Sequence, residues 1–417
     1  MTESDTARHS ARRILDELRD LSRISSMGEK GIARQYLTPE HRRANDWMRA
    51  KFLEAGLAVR EDAVGNLFGR LEGTDPDAPA IMIGSHLDTV VDAGAFDGCL
   101  GVMTALEVVR TLSQSGTKLR HPVVVTAFAG EEGVRFGLTY LGSIAATTGW
   151  TAEMLARRDA NGISLAEALT EFGLSPERTD EAKLVPGSVA AYIELHIEQG
   201  PRLNAIDAPL ARVESICAIR RYIVELTGEA GHTGTVPIPA RHDAGCAAAE
   251  LTLTLEREAL RIGQNVVATA GEVRLHPNVV NCIPGRAFMR VDLRAPTDAL
   301  LDELDRAVFS AFLPQAERRG IAVTKDCYFE VPSVPCDPRV SAVIDEAVGS
   351  VTGRFVSMPS GAGHDAGAMA AIAPVGMIFV RCERGISHSP LENVPEEDVT
   401  AGYEALLEAL VLADQRF

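Results

Sequence analysis

Short, almost uninterrupted apolar runs are the feature that most constrains how this chain folds. Each run has the length and the apolar character of a strand buried on both faces. They are residues 80–84, 123–128, 190–195 and 375–380. Helical patterns lie between them, as at residues 98–112. Strands that alternate with helices predict an α/β fold, in which helices flank a central mixed sheet.

A second pattern interrupts this alternation after about Ala208. Six segments predict strand, helix, strand, strand, helix and strand, in that order. They are residues 220–226, 241–261, 266–275, 286–293, 297–319 and 321–328. The order βαββαβ is that of a ferredoxin-like unit. We therefore expect a catalytic α/β domain, residues 1–210 and 330–417, interrupted by a ferredoxin-like α+β domain over residues 211–329.

Composition excludes several classes of protein. The 417 residues carry a net charge of −17, which argues against a nucleic-acid partner because phosphate backbones attract basic surfaces. No stretch approaches the roughly 20 apolar residues that a membrane span needs. The seven cysteines are scattered and form no Cys-x-x-Cys pair, which favours a reduced, cytoplasmic environment.

Histidines and carboxylates follow the predicted buried strands. They are His86, Asp97, Glu131, Glu132, His196 and His388. A single polar residue on a loop is usually solvated, but the ligand crevice of an open α/β sheet lies at the carboxyl ends of its strands. Imidazole and carboxylate without thiolate suit Zn²⁺, Mn²⁺ or Co²⁺. The number of donors predicts two cations that share one carboxylate.

We expect three acidic residues, Asp88, Glu131 and Glu132, to have different roles in the site. Glu131 and Glu132 are adjacent, so in an extended segment one can bind metal while the other faces the reaction. Asp88 lies two residues after His86, and we expect its carboxylate to accept the second imidazole N–H and to fix the tautomer. A turn or helix cap is the alternative role for Asp88.

Seven motifs run in order along the chain. They are Gly84-Ser-His86-Leu-Asp88, Ala93-Gly-Ala-Phe-Asp97-Gly98, Gly130-Glu-Glu-Gly133, Glu194-Leu-His196-Ile-Glu-Gln199, Gly231-His-Thr-Gly234, Asn281-Cys-Ile-Pro284 and Ser360-Gly-Ala-Gly-His364. Together they resemble the dimetal amidohydrolases of the hydantoinase/carbamoylase family. That family includes N-carbamoyl-L-amino-acid hydrolases and allantoate amidohydrolases, and is similar in fold to aminoacylases and dimetal exopeptidases.

The resemblance implies two divalent cations per subunit. His86, Asp97 and His196 would hold one cation, and Asp97, Glu132 and His388 would hold the other, with Asp97 as the bridge. Zn²⁺ is the first expectation, and Mn²⁺, Co²⁺ and Ni²⁺ are alternatives that the same donors accept.

The resemblance also implies a catalytic base and substrate contacts. Glu131 would take the proton of the attacking water and then pass it to the leaving nitrogen. We count Asp88, through its expected contact with His86, as the second catalytic residue. Substrate contacts would come from Gln199, Gly363 and His364, and from His232, Asn281 and Arg294 of the inserted domain. The planar fork of Arg294 suits a carboxylate, although a surface ion pair is its alternative role.

The resemblance implies hydrolysis of a carbamoyl or ureido C–N bond in a small carboxylate-bearing substrate, with release of ammonia and CO₂. The substrate would be an N-carbamoyl-L-amino acid or allantoate. Two alternatives are an aminoacylase or dipeptidase with the same cations, against which His196 argues, and a metal-stabilised binding protein, which Glu131 disfavours. The inserted domain would act as a lid and form a homodimer, with residues 220–226 and 241–261 as the candidate surface.

Overall fold

The computed structural model describes residues 3–417, which divide into two compact units. The inserted unit is Ser215–Pro335 together with Pro359–Gly363. The main unit is the remainder: the chain up to Glu214, Cys336–Met358 and His364–Phe417. No helix in residues 3–417 is long and apolar enough to cross a membrane.

The first part of the main unit, as far as the structure describes it, carries seven α-helices and six strands. The helices are α1 (Glu3–Ser22), α2 (Pro39–Glu54), α3 (Cys99–Ser115), α4 (Leu141–Ala146), α5 (Ala152–Ala156), α6 (Leu165–Phe172) and α7 (Arg202–Ala205). The strands are β1 (Ala58–Glu61), β2 (Leu67–Leu71), β3 (Ala80–His86), β4 (Val123–Phe128), β5 (Val189–Ile197) and β6 (Leu210–Ile216). Helix α2 begins after Thr38, whose side chain accepts a hydrogen bond from the His41 N–H.

The inserted unit contains the predicted ferredoxin-like order. Its elements are β7 (Ala218–Thr227), β8 (Gly231–His232), α8 (Ala244–Ile262), β9 (Val267–His276), β10 (Cys282–Ile283), β11 (Arg286–Ala295), α9 (Asp298–Arg318), β12 (Ala322–Val331) and β13 (Val334–Pro335). The four long strands form an antiparallel sheet in the order β12-β7-β11-β9. Apolar side chains of α8 and α9 pack with this sheet in a core of its own.

The last part of the chain completes the main unit. Its elements are α10 (Pro338–Thr352), β14 (Ser357–Ser360), α11 (Asp365–Met369), β15 (Val375–Val380) and α12 (Glu396–Arg416). The large sheet has the order β1-β2-β4-β3-β5-β15-β6, and β13 and β14 also pair with β6. Strands β4, β3, β5 and β15 are mutually parallel, whereas β2 and β6 run antiparallel to their neighbours. The predicted α/β fold with a mixed sheet is confirmed.

The parallel strands explain where polar residues gather. Every residue of β3, β4 and β15 is buried, as expected for strands covered on both faces. Helix α3 crosses one face, with most of its residues buried among the apolar side chains of the main core. Since the four strands are parallel, the segments that follow them emerge at one edge of the sheet.

Some elements differ from the sequence-based expectation. Helix α8 begins at Ala244 instead of residue 241, because the Asp243 side chain accepts the N–H groups of Gly245 and Cys246. Strand β6 was not predicted, and both the expected domain boundary after residue 210 and the observed one after Glu214 fall within it. The short helices α4 to α6 were also missed; they pack around a separate small apolar cluster.

Candidate metal centre

Asp97 lies at the centre of the site, and its two carboxylate oxygens face different histidines. Oδ1 is 3.2 Å from Nε2 of His196 and 3.9 Å from Nε2 of His86. Oδ2 is 3.1 Å from Nε2 of His388, which is itself 3.8 Å from Oε2 of Glu132. The donor atoms of each set lie within 4.8 Å of one another. We call His86, Asp97 and His196 the inner group, and Asp97, Glu132 and His388 the outer group.

The inner histidines are oriented by main-chain carbonyls. Nδ1 of His86 lies 3.0 Å from the carbonyl oxygen of Asp88, and Nδ1 of His196 lies 2.9 Å from that of Ile197. In each histidine, Nδ1–H donates a hydrogen bond to the carbonyl oxygen. The lone pair of Nε2, which faces Asp97, is then available to bind a metal ion. Both side chains are 2% exposed, so their orientation is also fixed by packing.

Gly98 permits this packing. It adopts a positive φ of 65° at the start of α3, and a Cβ there would lie 2.3 Å from the His86 ring. A larger residue would both strain the backbone and displace the imidazole. The glycine that follows Asp97 in the sequence motif is therefore needed to make room for His86.

The predicted hydrogen bond between the Asp88 carboxylate and the His86 imidazole is wrong. It is the main-chain carbonyl of Asp88 that accepts from His86, whereas the carboxylate Oδ1 is 3.9 Å from that ring. The carboxylate instead accepts the backbone N–H groups of Gly130, Glu131 and Glu132, at 2.8 to 3.2 Å. Asp88 thus holds the turn that carries the two glutamates, because three orphan N–H groups after β4 need acceptors.

The two glutamates diverge, as adjacent residues in an extended segment do. Oε2 of Glu131 is 3.8 Å from His86 at the inner group, whereas Glu132 faces His388 at the outer group. Burial raises the pKa of Glu131 well above its usual range, and the charges of Glu132 and Asp365 raise that pKa further. Burial and the charge of Asp97 likewise raise the pKa of Glu132.

The donor set fits divalent cations. Glu132 Oε1 is buried and has no hydrogen-bond partner within residues 3–417. Several carboxylates are concentrated in the same buried space, where each disfavours ionisation of the others. Cations bound between the carboxylates and the imidazole Nε2 atoms would offset this charge and would provide the missing partner.

Two expected substrate residues of the main unit lie against the ligands. The Gln199 side chain donates to Oδ2 of Asp97 at 2.8 Å, and its own carbonyl oxygen is buried without a partner in the described part of the chain. The His364 ring packs edge-on against His196, with centroids 4.5 Å apart. Burial, followed by the charge of His196, lowers the pKa of His364 and keeps that imidazole neutral.

A third set of donors was not predicted. Glu194, His196 and His364 have donor atoms within 4.8 Å of one another. The Glu194 carboxylate accepts from the Ser85 hydroxyl at 2.7 Å and from the Ala366 N–H at 2.8 Å. It therefore ties β3 and β5 to the segment that carries His364. Glu194 begins the motif Glu194-Leu-His196-Ile-Glu-Gln199, but the spacing of that motif does not indicate its hydrogen-bond partners.

The remaining expected substrate residues belong to the inserted unit. His232 and Asn281 are brought together there, because β8 and β10 pair with His232 opposite Cys282. Both side chains are exposed. Gly363 ends the short segment Pro359–Gly363, which is part of the same unit.

Arg294 forms the ion pair that was its alternative role. Its guanidinium donates to Asp292 at 2.8 and 3.3 Å and to the carbonyl oxygen of Gly361 at 2.9 Å. Asp292 also accepts from Arg221 at 2.7 Å. The fork is thus oriented by a carboxylate of its own strand, and a substrate carboxylate would have to share or replace these contacts.

Fold and donor set define a family of hydrolases. The model of peptidase family M20/M25/M40 matches residues 82–411, and the chain belongs to this family. The chain is 40% identical to an N-carbamoyl-L-amino acid amidohydrolase of Geobacillus stearothermophilus, covering 94% of this chain and 96% of that relative. It is 36% identical to an allantoate deiminase of Arabidopsis thaliana, covering 94% and 80% respectively.

A solved structure extends the agreement to the whole fold. An amidase of the hydantoinase/carbamoylase family from Burkholderia multivorans matches with a TM-score of 0.89 and 34% identity, over 97% of both chains. The resemblance inferred from the motifs is confirmed, as is the predicted enzyme class, a hydrolase of carbon–nitrogen bonds.

Proposed function

We propose that this protein hydrolyses a carbamoyl or ureido C–N bond in a small substrate that carries a carboxylate. The observation that carries the proposal is the shared Asp97, whose two oxygens face separate ligand groups, with the unligated Glu131 beside the inner one. The names of the relatives support the choice of bond. They name both candidate substrates, N-carbamoyl-L-amino acids and allantoate.

We assign two divalent cations to the site, one to the inner group and one to the outer group. When bound, such ions polarise the substrate carbonyl and lower the pKa of the attacking water. Zn²⁺ is the first choice for an imidazole and carboxylate set without thiolate, and Mn²⁺, Co²⁺ and Ni²⁺ suit the same donors.

Glu131 is the proposed general base. It accepts a proton from the water as the water oxygen attacks the carbonyl carbon, and it then donates that proton to the leaving nitrogen. Its Oε2 lies 3.8 Å from Nε2 of His86, which puts the carboxylate beside the inner group. Asp88 positions Glu131 through the backbone, since its carboxylate accepts the Glu131 N–H at 3.0 Å. The carbamic acid released would decompose to CO₂ and ammonia.

Six residues are proposed to recognise the substrate. They are Gln199, His232, Asn281, Arg294, Gly363 and His364. The Arg294 guanidinium is assigned to the substrate carboxylate, because a planar fork matches its two oxygens. The neutral His364 ring can donate one hydrogen bond to the ureido group without adding charge.

We propose a homodimer formed through the inserted unit. The strand suggested by the sequence, β7, cannot extend its sheet, because both of its edges are already paired. The edge strands of this sheet are β9 and β12, and on α8 Leu253 and Leu260 are 58% and 77% exposed. Light scattering of the wild type and of a Leu253→Glu/Leu260→Glu variant tests this surface; an unchanged dimer in the variant would exclude it.

We also place the protein in the cytoplasm. All seven cysteines are free, and four of them are buried. Free thiols persist where the environment is reducing. Fractionation of the source cells tests this assignment.

One assay separates the candidate functions. Protein loaded with Zn²⁺ or Mn²⁺ is incubated with an N-carbamoyl-L-amino acid, allantoate, an N-acetyl amino acid and a dipeptide, and both ammonia and new primary amine are measured. Ammonia from a ureido substrate alone supports the proposal. Turnover of the acetyl or peptide substrate with no ammonia release would make the protein an aminoacylase or dipeptidase, and no turnover of any would favour a binding protein.

A further inference from the structure

Glu392 connects two parts of the metal centre that are distant in sequence. Its side chain is buried, and one oxygen, Oε1, accepts the backbone N–H groups of Phe96 at 2.8 Å and Asp97 at 3.1 Å. These donors lie 296 and 295 residues away along the chain. The carboxylate therefore fixes the main chain of the residue that faces both ligand groups.

The second oxygen of Glu392 holds the segment that carries His388. Oε2 accepts from the hydroxyl of Ser387 at 3.0 Å, and the same hydroxyl lies 3.0 Å from Oδ2 of Asp97. His388 adopts a positive φ of 52°, a conformation that a residue with a Cβ holds only when its surroundings impose it. Next to His388, the hydroxyl of Ser387 contacts the carboxylates of both Glu392 and Asp97 and so holds this part of the loop.

The gap that receives Glu392 is narrow. A Cβ on Gly94, in the segment that leads to Asp97, would lie 2.3 Å from the Glu392 Cβ. The segment therefore approaches the Glu392 side chain as closely as a glycine allows. The two loops are joined both by hydrogen bonds and by close packing, and Glu392 contributes to each.

We propose that Glu392 is a positioning residue that sets the separation of Asp97 and His388 and so assembles the outer cation site. The inference rests on the proposed two-cation function. Glu392 contacts the ligands through Ser387 and through the main chain, which distinguishes it from the donors themselves. Such outer partners of metal ligands typically change metal affinity by about 10- to 100-fold when they are removed.

The test compares Glu392→Ala, Glu392→Gln and Ser387→Ala with the wild type. Zn²⁺ alone is titrated against each protein in the presence of a competing chelator, and bound metal, the melting temperature, kcat and KM are measured. Glu107→Gln is the matched control, because Glu107 is also a buried carboxylate, with a side chain 3% exposed and paired with Arg13 and Arg110.

We expect Glu392→Ala to weaken the second Zn²⁺ by about 100-fold and to leave the first within about twofold, because the hydrogen bonds that orient the inner histidines do not involve Glu392. Glu392→Gln keeps an oxygen for the two N–H groups but cannot accept from Ser387, so its loss is smaller, about 10-fold. In both variants kcat falls at limiting Zn²⁺ and recovers when Zn²⁺ is raised, while KM stays the same. Glu107→Gln should leave both Zn²⁺ affinities unchanged.

Two results would overturn the inference while leaving the proposed function intact. The first is a wild type that binds two Zn²⁺ ions together with a Glu392→Ala variant that binds both equally well. The second is a loss that affects both ions alike and follows the melting temperature, since that is a general structural effect. If Glu392→Ala does not fold, Glu392→Gln and Ser387→Ala decide between these results. A wild type that binds a single Zn²⁺ contradicts the two-cation function and this inference together.

Discussion

The inner and outer ligand groups share Asp97 but differ in how they are held. The two inner histidines are 2% exposed, and each donates from Nδ1 to a main-chain carbonyl. In the outer group, the His388 side chain is 51% exposed, whereas that of Glu132 is 8% exposed. Both histidines of the inner group are therefore buried and oriented, whereas the outer group includes one exposed histidine on a loop.

This difference has a consequence for metal binding. A buried, oriented donor set loses little conformational freedom when an ion binds, whereas an exposed histidine must first be ordered. Water also competes more easily for the outer position. We therefore expect the two cations to bind with unequal affinity, the inner one more tightly.

Replacing the shared carboxylate should have the largest effect. In Asp97→Asn, the amide can offer one oxygen donor but no charge, so both groups lose their common ligand. We expect both ions to be lost on dialysis and activity to fall on the order of 10⁴-fold or more. Metal analysis of the dialysed protein measures this result, and retention of one ion at wild-type affinity would show that Asp97 serves a single group.

Replacing the proposed base should reduce turnover without reducing metal binding. Glu131→Gln keeps the shape of the side chain but cannot accept a proton, so turnover should fall by about 10²- to 10⁴-fold. Both ions should remain, because Glu131 belongs to neither group. Parallel measurement of kcat and metal content checks this, and near-normal activity would remove Glu131 from the mechanism.

Removing one histidine from each group should expose their inequality. His388→Ala should release the outer ion and leave the inner one bound. His196→Ala should weaken both, since the inner ion is expected to bind first and would hold the shared Asp97 in place for the outer one. We expect at least about a 10-fold loss of affinity at each affected position. Titration with a chelator measures these losses, with the exposed His9→Ala as control. Equal losses in the two variants would contradict the comparison.

The smallest effect concerns a buried histidine outside both groups. His41 is fully buried, and burial, followed by the charges of Arg42 and Arg34, lowers its pKa to about 3. Because this folded-state pKa is below the unfolded value of about 6.5, the neutral form stabilises the fold above pH 6.5, and this contribution is lost as pH falls toward 3. The expected loss is about 1.4 kcal/mol per pH unit within that range.

His41→Asn tests this pH dependence, because asparagine can still accept the hydrogen bond that Leu37 N–H donates to Nδ1 at 3.1 Å. Urea unfolding at pH 7 and pH 5.5, with chelator in both samples, gives the comparison. The variant should lose less stability between the two pH values than the wild type. Equal losses in the two proteins would mean that His41 does not titrate in this range.

Much of the fold could be predicted because burial on both faces leaves a continuous apolar signal. Strands β4 and β15 match the predicted runs at both ends, and β3 and β5 extend theirs by only a few residues. Strand β6 was missed since it reads Leu-Ala-Arg-Val-Glu-Ser-Ile, without a continuous apolar run. The helices α4 to α6 are too short to show a periodic pattern.

The candidate site was predicted less evenly. Residue identity and motif order indicated the metal ligands, because imidazole and carboxylate side chains can be recognised directly in a sequence. Contacts made by the main chain were not, so the Asp88 carboxylate was assigned to the wrong partner. Glu392 was missed for a related reason: its partners Phe96 and Asp97 are almost 300 residues away, and nothing local marks it as buried.

The most direct measurement is a titration of the metal-free wild type with Zn²⁺, in which bound metal and ammonia release from an N-carbamoyl-L-amino acid and from allantoate are followed together. We expect two equivalents of Zn²⁺ to bind in separate steps, with activity on one of these substrates rising mainly in the second step. Full activity after a single equivalent, or two ions bound without ammonia from either substrate, would contradict this expectation.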